Sequence, residues 1–118
     1  MQMQNFKNCL CRIRDLQHQI ASFEKELETQ FGVSLNEGMV LCSISSAGSL
    51  TCGAIAQMLA ITPSNCSKVI SKVESKGLIS RTLGKEDKRE MIFQLTHEGK
   101  SLLERINSSE ISLSDVLK

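Results

Sequence analysis

TCGAIAQMLAITPSNCSKVISKVESKG, residues Thr51–Gly77, reads as two short helices joined by a tight connection. Thr51 is placed to cap a helix containing Ile55, Ala56, Met58 and Leu59, and Ala60-Ile61 makes the connection. Thr62 caps the next helix, with Pro63 at its first position, where a missing N–H costs nothing. Gly77 stands where a left-handed residue ends a helix. On a helical wheel Cys66, Val69, Ile70 and Val73 share the side that packs on Ile55 and Leu59. Ser64, Lys68, Ser71 and Ser75 fall opposite, flanked by Asn65, Ser67 and Lys72. Two short helices of this kind form a helix-turn-helix. Small hydroxyl side chains between lysines let the second helix enter a major groove, where they can donate to base edges or phosphates. The positive end of the helix dipole at Thr62–Ser64 adds a pull on phosphate.

Downstream, Leu78–Leu83 reads as a strand and Arg89–Leu95 as its hairpin partner, with a polar loop between them. A helix-turn-helix followed by a basic-tipped hairpin describes a winged helix. Lys85, Lys88 and Arg89 are spaced to reach the adjacent minor groove, and Asp87 to hold the Arg89 guanidinium extended. Thr96 caps a last helix with Leu102, Leu103 and Ile106 on one side, and the apolar residues of the tail (Ile111, Leu113, Val116, Leu117) are read as docking.

Upstream, Ser34-Leu35-Asn36-Glu37 is a capping box. It starts a helix expected to turn Met39, Val40, Cys42 and Ile44 inward and to end before Gly48; Ser49-Leu50 is a short extended piece. The first helix, about Asn5 to Gln30, carries Phe6, Cys9, Ile13, Leu16, Ile20, Phe23 and Leu27 three and four residues apart. So narrow an a/d seam on so long a helix predicts packing along a second copy of the chain, and the first six of these residues are the expected dimer interface.

The 118 residues suit one domain (1–118), divided into a dimerisation helix (1–31), a winged core (35–99) and a C-terminal helix and tail (97–118). The overall charge of +1 is uninformative, but its distribution is not. Thr62–Arg89 holds seven basic residues (Lys68, Lys72, Lys76, Arg81, Lys85, Lys88, Arg89) against three acidic, so this stretch carries an excess of positive charge suited to a polyanion. Without Trp or Tyr, stacking on single strands is disfavoured. No signal peptide or membrane-length apolar run is seen, which predicts a cytoplasmic protein with no membrane partner.

Five cysteines without framework spacing are expected to be reduced. Arg12 and Arg14 beside Cys9 and Cys11 would favour a reactive thiolate, but Cys9 lies in the seam, so a packing role is adopted. Cys42, Cys52 and Cys66 are read as core or near-core. Cys9 and Cys11 point some 200° apart on a helix and make a poor chelate, and His18 and His97 are read as surface residues, so no metal is expected. No nucleophile–base pair, phosphate loop or carboxylate dyad marks an enzyme, and no cofactor is implied.

Leu59–Ile70, Val73–Arg81, Asp87-Lys88-Arg89 and Leu95-Thr96-His97-Glu98-Gly99 together resemble the MarR class of transcription regulators, over roughly Leu35–Ile106. The fold class is then mainly α with a small β-hairpin (α+β): a winged helix-turn-helix with N- and C-terminal dimerisation helices. The resemblance implies a homodimer that binds a pseudo-palindromic operator in double-stranded DNA, usually as a repressor released by a small-molecule effector or by oxidation. Carried over by position, Thr62, Pro63, Ser64, Asn65, Ser67, Lys68, Ser71 and Lys72 form the recognition helix's contact set, and Lys85, Asp87, Lys88 and Arg89 that of the wing. Three departures stand out. The chain is shorter than typical members at its C-terminal end, Ala60 takes a turn position where glycine is common, and lysines replace arginines. Two readings of other classes are a winged-helix adaptor that binds protein rather than DNA, and a metal-responsive repressor.

Overall fold

In the computed structural model the described residues are 2–84, 86 and 90–109, with side chains described from residue 8 onward. Among them are five helices, α1 (Gln2–Phe31), α2 (Leu35–Ala47), α3 (Cys52–Leu59), α4 (Pro63–Ser75) and α5 (His97–Ser108), and three strands, β1 (Leu50–Thr51), β2 (Ile79–Leu83) and β3 (Met91–Leu95).

Each of the four later helices begins on a side chain chosen for the purpose. Ser34 Oγ accepts the Glu37 N–H at 3.1 Å while Glu37 Oε1 accepts the Ser34 N–H at 2.6 Å, completing the capping box. Thr51 caps α3, Thr62 caps α4 with Pro63 behind it, and Thr96 caps α5. Each cap contributes about 1 kcal/mol by satisfying an otherwise orphaned amide. Thr96 does more: its hydroxyl donates to Gly77 O at 2.6 Å, so one threonine starts α5 and holds the end of the preceding turn. Gly99, in the first turn of α5, is fixed by packing. A Cβ there would lie 2.1 Å from Leu78 O, and only glycine lets α5 approach the entry to β2 this closely.

The strand order is β1-β3-β2, antiparallel throughout, with Leu50 opposite Phe93 and Arg81 opposite Phe93 on the other side. The expected hairpin is therefore part of a three-stranded sheet, because the extended pair before α3 finds a free edge on β3. The second hairpin strand is described from Met91; Lys85, Asp87, Lys88 and Arg89, expected to form the tip and the start of that strand, lie outside the described residues.

The core forms where α2, α3, α4 and α5 meet the sheet, centred on Leu41, Ile44, Ile55, Val73 and Phe93. Two expectations for α2 are corrected here. Met39 and Cys42 are exposed, and the buried stripe is Glu37, Val40, Leu41 and Ile44. Residues 37, 40, 41 and 44 follow the 3–4 spacing of one helix face, whereas 39 and 42 are each rotated about 100° off it. Along α1 only the last turns join this core: Leu27 is buried, and Phe23 and Phe31 pack against it. Among the described residues no helix is long and apolar enough to cross a membrane.

Candidate nucleic-acid interface

The recognition helix is positioned from behind. Cys66, Ile70 and Val73 are buried against the core and Val69 packs on its edge. That leaves Thr62, Pro63, Ser64, Asn65, Ser67, Lys68, Ser71 and Lys72 exposed at the start of α4 and along its outer side and flanks. All eight residues expected to form the contact set are therefore accessible to solvent. Thr62 is partly committed, since its Oγ1 accepts the Asn65 N–H at 3.1 Å. The turn in front of α4 is made by Ala60, whose φ of 55° and ψ of 44° are left-handed. A non-glycine residue costs about 1–2 kcal/mol in that region; the return is an Ile61 N–H bonded to Ala56 O at 3.1 Å, which closes the angle between the two helices.

Two of the seven basic residues are already paired with carboxylates of the chain itself. Lys76 Nζ lies 3.0 Å from Oε1 and 2.9 Å from Oε2 of the buried Glu37, and donates to Gly32 O at 2.8 Å. Burial alone would push the Glu37 carboxyl up. The Ser34 N–H and the Lys76 ammonium outweigh that, and the group titrates below the usual carboxylate range. Arg81 Nε donates to Glu74 Oε2 at 2.7 Å and its Nη2 to Oε1, a two-point pair. The hydrogen bonds from Arg81 hold the Glu74 carboxyl below its ordinary value. The same guanidinium sits 5.7 Å from the Phe93 ring centroid, so it bridges the end of α4 to the sheet. Neither pairing was legible in a charge count, because Lys76 and Glu37 are 39 residues apart and the strand register sets the approach of Arg81 to Glu74.

The seam residues of α1 divide. Cys9 and Ile13 are exposed, Leu16 and Ile20 are half-buried, and Phe23, also half-buried, packs against the chain's own core. The side chain of Phe6 lies outside the described residues. Leu10, beside this stripe, is 73% exposed. Cys52 is half-buried and Cys66 buried, as expected for near-core cysteines, whereas Cys9, Cys11 and Cys42 are exposed. Among the described residues no group of three or more His, Cys, Asp and Glu side chains is placed to hold a metal ion.

The sequence model of the MarR family matches residues 33–91, half of the chain. The chain belongs to the MarR family. Among relatives of this MarR-family chain, the HTH-type transcriptional repressor MdtR of Bacillus subtilis is 32% identical over 87 residues, which is 74% of this chain and about half (53%) of MdtR. A crystal structure of the MepR–DNA complex from S. aureus superposes with a TM-score of 0.73 at 27% identity, covering 81% of this chain and 72% of MepR. The reduced form of MarR from E. coli superposes with a TM-score of 0.76 at 23% identity, over 89% of this chain and 76% of that one. The superpositions establish the MarR-type winged helix as the architecture.

Proposed function

We propose that this MarR-family chain is a homodimeric, sequence-specific regulator of transcription that binds double-stranded DNA. The reading rests on one observation: the apolar side of α4 is consumed by the core while its outer side presents mostly small polar residues and two lysines. Ser64, Asn65, Ser67 and Ser71 read base edges or phosphates in the major groove, and Lys68 and Lys72 neutralise phosphates. In this reading the wing, with Lys85, Lys88 and Arg89 supported by Asp87, reaches the neighbouring minor groove. Two such helices in a dimer enter major grooves about one turn, ~34 Å, apart, which calls for a pseudo-palindromic operator. That MepR is described in complex with DNA and MdtR as a repressor supports repression as the mode of action. Release by a small molecule or by oxidation completes the proposal.

The test is selection of duplexes from random-sequence DNA by the purified protein, followed by titration at several salt concentrations. Enrichment of an inverted repeat, with affinity falling steeply as salt rises, is the expected result. Failure to enrich any duplex, or binding indifferent to salt, would sink the assignment and favour a protein-binding adaptor.

A further inference from the structure

The root of the recognition helix contains a pair of thiols that the DNA-binding reading does not use. Cys52 opens α3 and Cys66 lies in the second turn of α4. The Cys66 Sγ is directed at Cys52 O, 3.5 Å away, and the Cys52 Sγ lies 3.9 Å from Ser67 Oγ. The two side chains are therefore neighbours across the α3–α4 joint, and one of them touches a residue of the proposed DNA-contacting face. Their environments are unequal. Cys66 is inaccessible to solvent, whereas Cys52 is half-buried at the start of its helix. Burial, followed by the charge and hydrogen bond of the Cys52 thiol, pushes the Cys66 thiol up to about 11.

We infer that Cys52 and Cys66 form an oxidation site for hydrogen peroxide, closing an intrachain disulfide that locks α3 to α4 and breaks the Cys52–Ser67 contact. The division of labour follows from exposure. The Cys52 sulfur, as thiolate, attacks one oxygen of the peroxide; the O–O bond breaks, Cys52 becomes a sulfenic acid, and the departing hydroxide takes a proton to leave as water. The Cys66 sulfur, too buried and too weakly acidic for that first attack, then displaces the hydroxyl from Cys52. An S–S bond forms, the S–O bond breaks, and a second water leaves. Two thiols are oxidised and one peroxide is reduced to two waters. Proximity favours this resolution over attack by an exposed cysteine of another molecule. The disulfide shifts Cys52 away from Ser67 and alters the joint that sets how far α4 projects. The effect on DNA rests on the function proposed above; the chemistry of the pair does not.

Hydrogen peroxide added to the full-length protein at low concentration, followed by non-reducing digestion and mass spectrometry, tests the site without DNA. A peptide linking Cys52 to Cys66, 2 Da lighter than the two thiols and lost on reduction with dithiothreitol, is expected. Oxidation confined to Cys9, Cys11 and Cys42 overturns the proposal. On a selected duplex the oxidised form is expected to bind about tenfold more weakly, within the usual range for coupled sites, and to recover on reduction. The Cys52→Ala protein should bind the duplex like the reduced wild type and ignore peroxide. A mapped Cys52–Cys66 disulfide with unchanged duplex affinity refutes the coupling to Ser67. Absence of duplex binding by the reduced protein refutes the DNA reading and leaves the mapped disulfide standing.

Discussion

The two helices that matter most for function, α1 and α4, are both amphipathic, yet they use their apolar faces in opposite ways. In α4 the apolar stripe is buried within its own chain, so what remains outside is the informative part: hydroxyls, an amide and lysines. In α1 the last turns are anchored by Phe23, Leu27 and Phe31, while upstream Leu10 and Ile13 stand 73% and 47% exposed. A face satisfied internally leaves its polar side free for a ligand. An apolar stripe left in water on a helix of this length calls for another apolar surface, and burying one such leucine or isoleucine contributes about 1.5–3 kcal/mol.

Charging the α1 stripe should have the largest effect. Ile13→Glu combined with Ile20→Glu places carboxylates in the proposed seam and is expected to convert a dimer to a monomer by analytical ultracentrifugation. Duplex affinity should fall with it, because two half-sites are then no longer held together. The fold itself should persist, since neither residue is in the core cluster of α2–α5. A dimer that survives both charges would place the interface elsewhere.

Neutralising the α4 face should have a smaller and separable effect. Lys68→Ala with Lys72→Ala leaves the buried stripe untouched, so the protein should keep its oligomeric state and melting temperature. If both lysines neutralise phosphates, the slope of log affinity against log salt should fall by about two units. An unchanged slope would mean that α4 presents its lysines to something other than a phosphate backbone. The two experiments break the comparison from either side: one removes assembly and binding together, the other binding alone.

Much of this was legible in the chain because it is local. Thr51, Ser34, Thr62 and Thr96 mark helix starts through hydrogen bonds to residues three positions away, so their spacing alone reveals them. The exposed face of α4 followed from helical periodicity. What escaped depends on contacts between elements distant in sequence. The burial of Leu41 rather than Cys42 escapes the sequence because α2 carries apolar residues on more than one side, Met39 and Cys42 as well as Val40, Leu41 and Ile44, and only the packed neighbours select the buried one. The third strand depended on a free edge of β3, and the commitments of Lys76 and Arg81 depended on carboxylates brought in by tertiary packing. Gly99 could be seen as part of a motif, but not as the point where α5 nearly touches a backbone carbonyl.

The smallest expected effect lies where the two regions meet. Lys76, just past α4, reaches Gly32 O at the end of α1 and the Glu37 carboxylate in the first turn of α2, so it ties the proposed DNA-reading helix to the base of the proposed dimer helix. Lys76→Met keeps the length of the side chain and removes its charge, leaving Glu37 buried beside only the Ser34 donors. Losing a partner to a fully buried charge costs about 3–5 kcal/mol. The Lys76 side chain is 39% exposed, so water screens the pair, and a loss of about 1–2 kcal/mol is expected at neutral pH. The pH dependence identifies the cause. A carboxyl whose folded pKa is depressed contributes its full stability above its unfolded value near 4.5 and loses it as pH falls through the folded pKa. Removing Lys76 takes away part of that depression. Wild type and variant should therefore differ most at pH 7 and converge only once pH has fallen through the depressed folded pKa of Glu37, where the carboxyl is protonated in both. Urea unfolding at a fixed protomer concentration across this range measures the difference, the concentration being held because dimerisation would otherwise enter the midpoint. A deficit that persisted unchanged at low pH would mean that Lys76 acts through its bond to Gly32 O and its packed alkyl stem. The tie between the two helices would then not depend on the charge of Glu37.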